Sequence, residues 1–324
     1  MLVINQDEID SLLSMESCIE VMKTVLAEFS KGEAVQELRS VMPVKQGKLL
    51  GIMPGVLKQE KVVGTKVITV YDGNHNNGLP SHQGVVLLFD ADNGKLKATI
   101  DATKITGVRT AAVSAVATDY LAKKDSRTLG MVGSGEQART HLEAMLKVRP
   151  IEQVKVWSRN REHAESFKVE MEPKFQIPVE IYDSVREVAA DADIICTVTS
   201  SKEPVLKGEW VQPGTHVNAV GACQPKDREL DSDLAGMSDF YVDRLESAIH
   251  ESGDYLIPLA EGIIEKAHIK GEIGELLTGA KEGRKSDSAV TVFESLGLAV
   301  EDLATAQFIY QEAVRLHKGT QTSI

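Results

Sequence analysis

Two groups of residues in this sequence have the types and spacing to do chemistry. The first is the G-x-G-x-x-A run Gly133-Ser134-Gly135-Glu136-Gln137-Ala138. Gly133 permits a tight turn, Gly135 lets the backbone approach a pyrophosphate, and the small Ala138 allows a helix to pack closely on the preceding strand. The free N–H groups and dipole at the start of that helix attract an anion. Alone, the pattern also marks ordinary strand-to-helix turns. Here, however, a second strand, Val154-Lys155-Val156-Trp157, ends at Ser158, about 20 residues past the motif, where the adenosine ribose of a dinucleotide is read. The stretch reached there, Ser158-Arg159-Asn160-Arg161, holds no carboxylate. An acid at this point would bond the ribose 2′-hydroxyl of NAD and repel a 2′-phosphate. A small hydroxyl followed by two guanidiniums instead suits the phosphate, because arginine gives it paired, charged hydrogen bonds. The expected cofactor is therefore NADP(H), with NAD(H) as the alternative. In that alternative both arginines are solvated residues at the start of the next helix.

The second group is cationic. Lys66 lies inside the apolar segment Val62–Val70, Arg39 precedes Ser40-Val41-Met42-Pro43-Val44, and Arg109 sits in a helix that leads to the glycine turn. A lysine on the core face of a strand is costly unless it meets an anion. On residue types alone, an edge-strand lysine and two surface arginines is the simpler arrangement. Leu79-Pro80-Ser81-His82-Gln83-Gly84 is a polar turn before a strand and reads in isolation as a hairpin loop. Cys223 has no evident activating base, so it reads as a small buried thiol rather than a nucleophile.

The elements that must carry these residues fall into two regions. Ser14 can cap a helix that presents Ile19, Met22, Leu26 and Phe29 on one face and ends near Gly32. Extended segments follow at 41–44, 49–53 and 62–71. A hairpin pairs 85–89 with 95–100 about Asp92-Asn93-Gly94. This is antiparallel β structure. An alanine-rich helix, about 105–122, then leads to strand–helix alternation from Thr128 onward. The helix after Gly135 would bury Ala138, Leu142, Met145 and Leu146, with Glu136, Arg139, Thr140, Glu143 and Lys147 elsewhere. Strands are expected at 128–132, 154–157, 179–182, 194–199, 216–220 and 240–242. Such alternation implies an α/β region with a parallel sheet and helices on both faces. A last helix, 299 to about 316, could pack back on the first region.

The length of 324 residues suits two domains. The net charge of −12 argues against a nucleic-acid surface. No apolar run reaches the length of a membrane span, and the N-terminus lacks a basic, signal-type start. Three cysteines, Cys18, Cys196 and Cys223, are too few and too scattered for a disulfide framework or a zinc site. No metal is expected, and a reducing cytoplasm fits best.

Longer motifs carry a family resemblance. They include Leu79-Pro80-Ser81-His82-Gln83, Leu87-Leu88-Phe89-Asp90, Arg109-Thr110-Ala111-Ala112-Val113-Ser114-Ala115, and Glu203-Pro204-Val205-Leu206-Lys207-Gly208-Glu209-Trp210-Val211. Asn218-Ala219-Val220-Gly221-Ala222, Arg228-Glu229-Leu230-Asp231, Glu251-Ser252-Gly253-Asp254 and Thr291-Val292-Phe293-Glu294-Ser295-Leu296-Gly297 complete them. The chain resembles the ornithine cyclodeaminase/mu-crystallin family almost from end to end, and within it the mu-crystallin branch of ketimine reductases.

The resemblance implies a Rossmann-type dinucleotide-binding domain, 116–299, plus a mostly antiparallel α+β domain for substrate binding and dimerisation, 1–115 with 300–324. It implies that Arg39, Lys66 and Arg109 hold a substrate carboxylate. It also implies that Ser81, Thr110, Glu136, Gln137, Ser158, Thr197, Val220, Gly221 and Ala222 line the cofactor, beside Gly133, Gly135, Ala138, Arg159 and Asn160 from the glycine turn and the second strand. The expected activity is NAD(P)H-dependent reduction of cyclic imino acids by a homodimer, with Lys66 the first candidate for proton delivery and His82 the second. A pocket holding only cations would lower the pKa of Lys66.

Two departures from the family pattern argue against ornithine deamination. Cyclodeaminases resembling this chain carry an Asp in a Gly-Gly-Asp-Cys-Pro-type loop, where this chain reads Gly221-Ala222-Cys223-Gln224-Pro225. They also carry a Glu where Gly51 stands. Alanine dehydrogenases of the family share the loop Asp. The alternatives are an ornithine cyclodeaminase or an alanine- or opine-type dehydrogenase on the same fold, and a protein that binds NADPH and a small ligand without turnover.

Overall fold

The computed structural model describes residues 1–71, 73–74 and 78–323. It divides into two compact units, Met1–Arg109 with Gly297–Ile324, and Thr110–Leu296. The joints lie a few residues before the expected ones at 115/116 and 299/300. The first falls inside one continuous helix, Ala102–Leu121, so composition gives no break there.

In chain order, the first unit opens with β1 (Leu2–Ile4), α1 (Gln6–Ile9) and α2 (Met15–Ser30). The Ser14 side chain caps α2 by accepting the Ser17 N–H, and Ile19, Met22, Leu26 and Phe29 are buried as their spacing predicts. β2 (Ala34–Gln36), β3 (Ser40–Lys45), β4 (Lys48–Leu57), β5 (Val62–Tyr71), β6 (His82–Asp90) and β7 (Leu96–Asp101) follow, then α3 (Ala102–Leu121). Strands β4 to β7 form an antiparallel meander, and β2 and β3 both pair with β4. The β6–β7 turn uses Gly94 at φ +74°, and the Asp90 carboxylate accepts the Asp92 and Asn93 N–H groups. β1 runs parallel to β7, a pairing the antiparallel reading did not anticipate.

The second unit contains β8 (Thr128–Val132), α4 (Glu136–Val148), β9 (Gln153–Trp157), α5 (Arg161–Phe175), β10 (Val179–Ile181), α6 (Val185–Ala189), β11 (Ile194–Thr197) and β12 (His216–Ala219). It continues with α7 (Ser232–Met237), β13 (Asp239–Val242), α8 (Leu245–Glu251), α9 (Gly253–Glu261), β14 (Ile269–Glu272), α10 (Ile273–Leu277) and β15 (Thr291–Glu294). Its eight strands are all parallel, in the order β10-β9-β8-β11-β12-β15-β13-β14. The order reverses beside β8, the strand that ends in the glycine turn, which is the switch point where an open parallel sheet binds ligands. β14 and β15 were not anticipated. β15 is buried along its whole length, so it shows no period-2 pattern. In α4, Thr140 and His141 are buried and Leu146 is only half-buried. The buried side reaches one residue round from the expected face because Ser114 Oγ meets the His141 ring at 2.9 Å.

The chain then returns to the first unit as α11 (Ala299–Arg315) and β16 (Thr320–Gln321), which pairs with β1. α11 packs on α2 and across β4, β5 and β6. Its close approach has a cause in the sequence. Gly55 and Gly64 face each other in β4 and β5, and a Cβ on them would stand 3.1 and 2.7 Å from the Leu303 methyls. Leu303 therefore seats on a glycine pair, and this fixes the two residues before it. Among the described residues no helix is long and apolar enough to cross a membrane.

Candidate functional sites: a glycine turn and a buried ionic cluster

In the second unit the glycine run forms the expected turn. Gly133 has φ +113°, and a Cβ there would lie 2.8 Å from the Val198 carbonyl oxygen. Only glycine meets both conditions without strain. Gly135 has open space where a Cβ would stand. It caps α4 without any side chain of its own to bond the helix N–H groups, while Ala138 is fully buried against the sheet. These features fit a dinucleotide pyrophosphate. Glu136 is exposed and Gln137 half-buried at the start of α4. Ser158 is half-buried at the end of β9, and Arg159 is exposed. Asn160 is the N-cap of α5, its side chain accepting the Glu162 N–H at 2.9 Å. Arg161 pairs with Asp183 and Glu165, as a solvated helix-start residue does. Thr197 is buried at the end of β11, Thr110 is buried in α3, and Val220, Gly221 and Ala222 follow β12.

Lys66, Arg109 and Arg39 meet in the first unit, and the surface arrangement is wrong for two of them. Lys66 is 2 % exposed and Arg109 4 %; Arg39 is half-buried. Lys66 shares the inner face of β5 with Val62, Gly64 and Ile68, the strand that α11 covers. Its Nζ lies 2.6 Å from Asp302 Oδ2. Arg109 Nε donates to Asp302 Oδ1 and Nη1 to Glu301 Oε2, both at 2.9 Å. Glu301 Oε2 also accepts the Leu298 N–H. Both acids stand in the first turn of α11, where the helix dipole favours their charged forms. Gly297, at φ +79°, completes the cluster. Its carbonyl accepts Arg39 Nη2 at 2.9 Å, and a Cβ on it would stand 2.6 Å from Arg109 Nη1. The two guanidiniums thus converge on one glycine.

The pocket is not cation-only, because Glu301 and Asp302 are both fully buried within it. Lys66 is still lowered, to about 8. Burial is the main cause and the Arg109 and Arg39 charges add to it, while Asp302 pulls the other way. Burial pushes the Asp302 carboxyl up, but Arg109 and Lys66 outweigh it and hold the group below the ordinary range. At neutral pH Lys66 and Asp302 therefore face each other as a charged pair. Lys66 is the member closest to losing its proton.

The remaining residues lie apart from this cluster. Val86 stands opposite Lys66, while His82 pairs with Val70, four residues along the strand. That separation is about 13 Å at the rise of a strand. His82 is exposed, and its Nδ1 lies 3.0 Å from Ser81 Oγ. Cys18 and Cys196 are buried thiols, each pushed up to about 12 by burial. Cys223 is exposed on the loop after β12 rather than buried, because that loop runs over the surface. Gly51 lies buried opposite Ile68, and a Cβ there would already be 3.3 Å from the Ile68 methyl.

Sequence reasoning missed Glu301, Asp302 and Gly297. The signal was present: a lysine on a core strand face requires an anion, and Glu301-Asp302 are acids set between Leu298-Ala299-Val300 and Leu303 in an apolar helix.

A doubly wound dinucleotide unit and a sheet unit carrying a buried ionic cluster define the class. The chain belongs to the ornithine cyclodeaminase/mu-crystallin family, whose model matches residues 1–316. It is 43 % identical to the ketimine reductase mu-crystallin of Rattus norvegicus over 312 residues, 95 % of this chain and 96 % of that one. It is 38 % identical to the Thermococcus litoralis Δ1-pyrroline-2-carboxylate reductase solved with NADH and L-proline, with a TM-score of 0.97 over 99 % of this chain and 100 % of that one. An archaeal alanine dehydrogenase dimer with bound NAD is 32 % identical, with a TM-score of 0.94 over 100 % and 99 % of the chains.

Proposed function

We propose that this protein is an NAD(P)H-dependent reductase of cyclic imino acids, converting Δ1-pyrroline-2-carboxylate and Δ1-piperideine-2-carboxylate to proline and pipecolate. The observation that carries the reading is the convergence of Arg39, Lys66 and Arg109 in one buried cluster. The carbon to be reduced bears a carboxylate. Arg39 and Lys66 bind that carboxylate, and Arg109, held by Glu301 and Asp302, fixes the charge around it. The Gly133–Ala138 turn would hold the pyrophosphate of a reduced dinucleotide, whose nicotinamide would supply the hydride. Lys66, protonated below about pH 8, holds the proton that the ring nitrogen gains, so C=N plus hydride plus proton gives the amine. The protein's main contribution is orientation and fixed charge. His82, exposed on β6, is the second candidate for the proton.

The test is Arg39→Ala. It removes a bidentate donor and lowers kcat/KM for cyclic imines at least about tenfold, a loss of about 1.4 kcal/mol, while the Kd for NADPH stays within about twofold because the dinucleotide turn is untouched. Wild-type efficiency in this variant would place the carboxylate elsewhere. Ornithine with NAD and no reductant serves as the control, since cyclodeamination consumes no net hydride.

NADPH is the preferred form in this reading. Ser158 and Arg159 lie at the end of β9, with no carboxylate in the 158–161 stretch. Ser158→Asp with Arg159→Ala shifts preference towards NADH by about tenfold to a hundredfold, the worth of one charged hydrogen bond. Tighter wild-type binding of NADH than NADPH would overturn this.

The protein acts as a homodimer through residues 1 to about 110 and the C-terminal helix. Val41, Met42 and Val44 of β3 are exposed, and among the described residues β3 pairs only with β4. An apolar strand with an open edge calls for a partner. Light scattering at micromolar concentration should give the dimer mass, and a monomer would contradict it. Three free cysteines, Cys18, Cys196 and Cys223, suit a reducing cytoplasm.

A further inference from the structure

The motifs around Glu229 and Asp254 take no part in the sites above, yet they meet inside the second unit. Glu229 is fully buried. Its Oε1 accepts the Thr199 N–H at 2.7 Å and the Thr199 hydroxyl at 2.6 Å. Its Oε2 accepts the Gly221 N–H at 2.7 Å. Thr199 follows β11 and Gly221 follows β12, so one carboxylate joins the loops at the carboxyl ends of two neighbouring parallel strands. The fit is close. A Cβ on Gly221 would stand 2.1 Å from the Thr199 carbonyl oxygen and 2.7 Å from Glu229 Cδ. Glu229 is itself held, because its own N–H and that of Leu230 donate to Asp254 Oδ1 at 3.0 and 2.7 Å.

A buried carboxylate is expensive. Burial raises the Glu229 carboxyl, and the Thr199 and Gly221 donors pull the other way. What this arrangement secures is the relative position of two loops. Their place in the sheet says which ligand group they face. The glycine turn ends β8, the adenosine ribose is read at the end of β9, and β11 and β12 lie on the other side of β8. A dinucleotide bound across the switch point therefore sets its second half over β11 and β12.

We propose that Glu229 is a positioning residue for the nicotinamide half of the dinucleotide, clamping the loops at Thr199 and Gly221 into one platform. This rests on the dinucleotide reading of the glycine turn. Glu229 acts through those loops and touches no ligand itself.

The test compares two ligands. NADPH spans both halves, whereas 2′-phospho-ADP-ribose lacks the nicotinamide. In Glu229→Gln the side-chain amide cannot accept at both ends, so one of the N–H groups of Thr199 or Gly221 loses its acceptor. Titration of the purified protein should show NADPH binding about tenfold weaker or more and the fragment changed by less than about twofold. Thr199→Val, which removes the hydroxyl that donates to Glu229 and accepts the Ser201 N–H but leaves the carboxylate and both backbone donors, should show the same selectivity with a smaller loss; it decides the question if Glu229→Gln does not fold. Unchanged NADPH affinity, or an equal loss for both ligands, overturns the proposal. If the wild type binds neither these two ligands nor NADH and ADP-ribose, the dinucleotide reading falls and takes the proposal with it.

Discussion

Lys66→Met is expected to lower kcat/KM for cyclic imine reduction by about 10²–10⁴-fold, the range spanned by a positioned proton donor. Methionine keeps the volume of the buried stem and removes the charge. NADPH affinity should stay near wild type, because the dinucleotide turn belongs to the other compact unit. The pH profile separates this from simple damage. Lys66 loses its proton near pH 8, so wild-type kcat/KM should fall about tenfold per pH unit above that point. The variant should lack this limb, whereas a limb owned by the substrate would persist. Wild-type activity in Lys66→Met, or an unchanged alkaline limb, would remove Lys66 from the proton path.

Asp302→Asn should act on both stability and pH dependence. Asp302 is fully buried and is shared by Lys66 and Arg109. Removing one partner of a buried charge set costs about 3–5 kcal/mol, read as a lowered denaturant midpoint. Asp302 is held below the ordinary carboxylate range, so its contribution is present above that range and lost as pH falls through its folded value. The stability gap between wild type and variant should therefore close in acid. The effect on Lys66 has a definite sign. Asp302 raises the Lys66 pKa against burial and the two arginines. Without it Lys66 releases its proton more easily, and the alkaline limb moves to lower pH. A limb that stays in place or moves up would show that Asp302 does not govern Lys66.

The sequence made the dinucleotide unit legible because its logic is local. Gly133, Gly135 and Ala138 lie within six positions, and the strands on either side have short apolar runs between turn residues. The expected β8 matches the observed strand end to end, and the hairpin about Asp92-Asn93-Gly94 forms as read. The ionic cluster was half legible. Arg39, Lys66 and Arg109 carry a family pattern, but Glu301 and Asp302 arrive from the far end of the chain on α11. Only the glycine pair Gly55 and Gly64 says that α11 comes so close, and opposing glycines in two strands are not a local signal. The missed strand β15 is buried throughout, so it has no alternation to betray it. Glu229 went unread for a similar reason, since a buried acid that bonds two loops looks in sequence like any surface acid.

The central claim is that the carboxylate of a cyclic imino acid binds at the Arg39–Lys66–Arg109 cluster of an enzyme that carries NADPH on the Gly133–Ala138 turn. A crystal structure of the protein with NADP⁺ and L-proline tests it most directly. The account predicts the proline carboxylate oxygens within hydrogen-bond distance, about 3 Å, of Lys66 Nζ and the Arg39 guanidinium, with Glu301 and Asp302 still bonded to Arg109. Proline bound with its carboxylate on other residues, and the cluster unchanged and untouched, would contradict it.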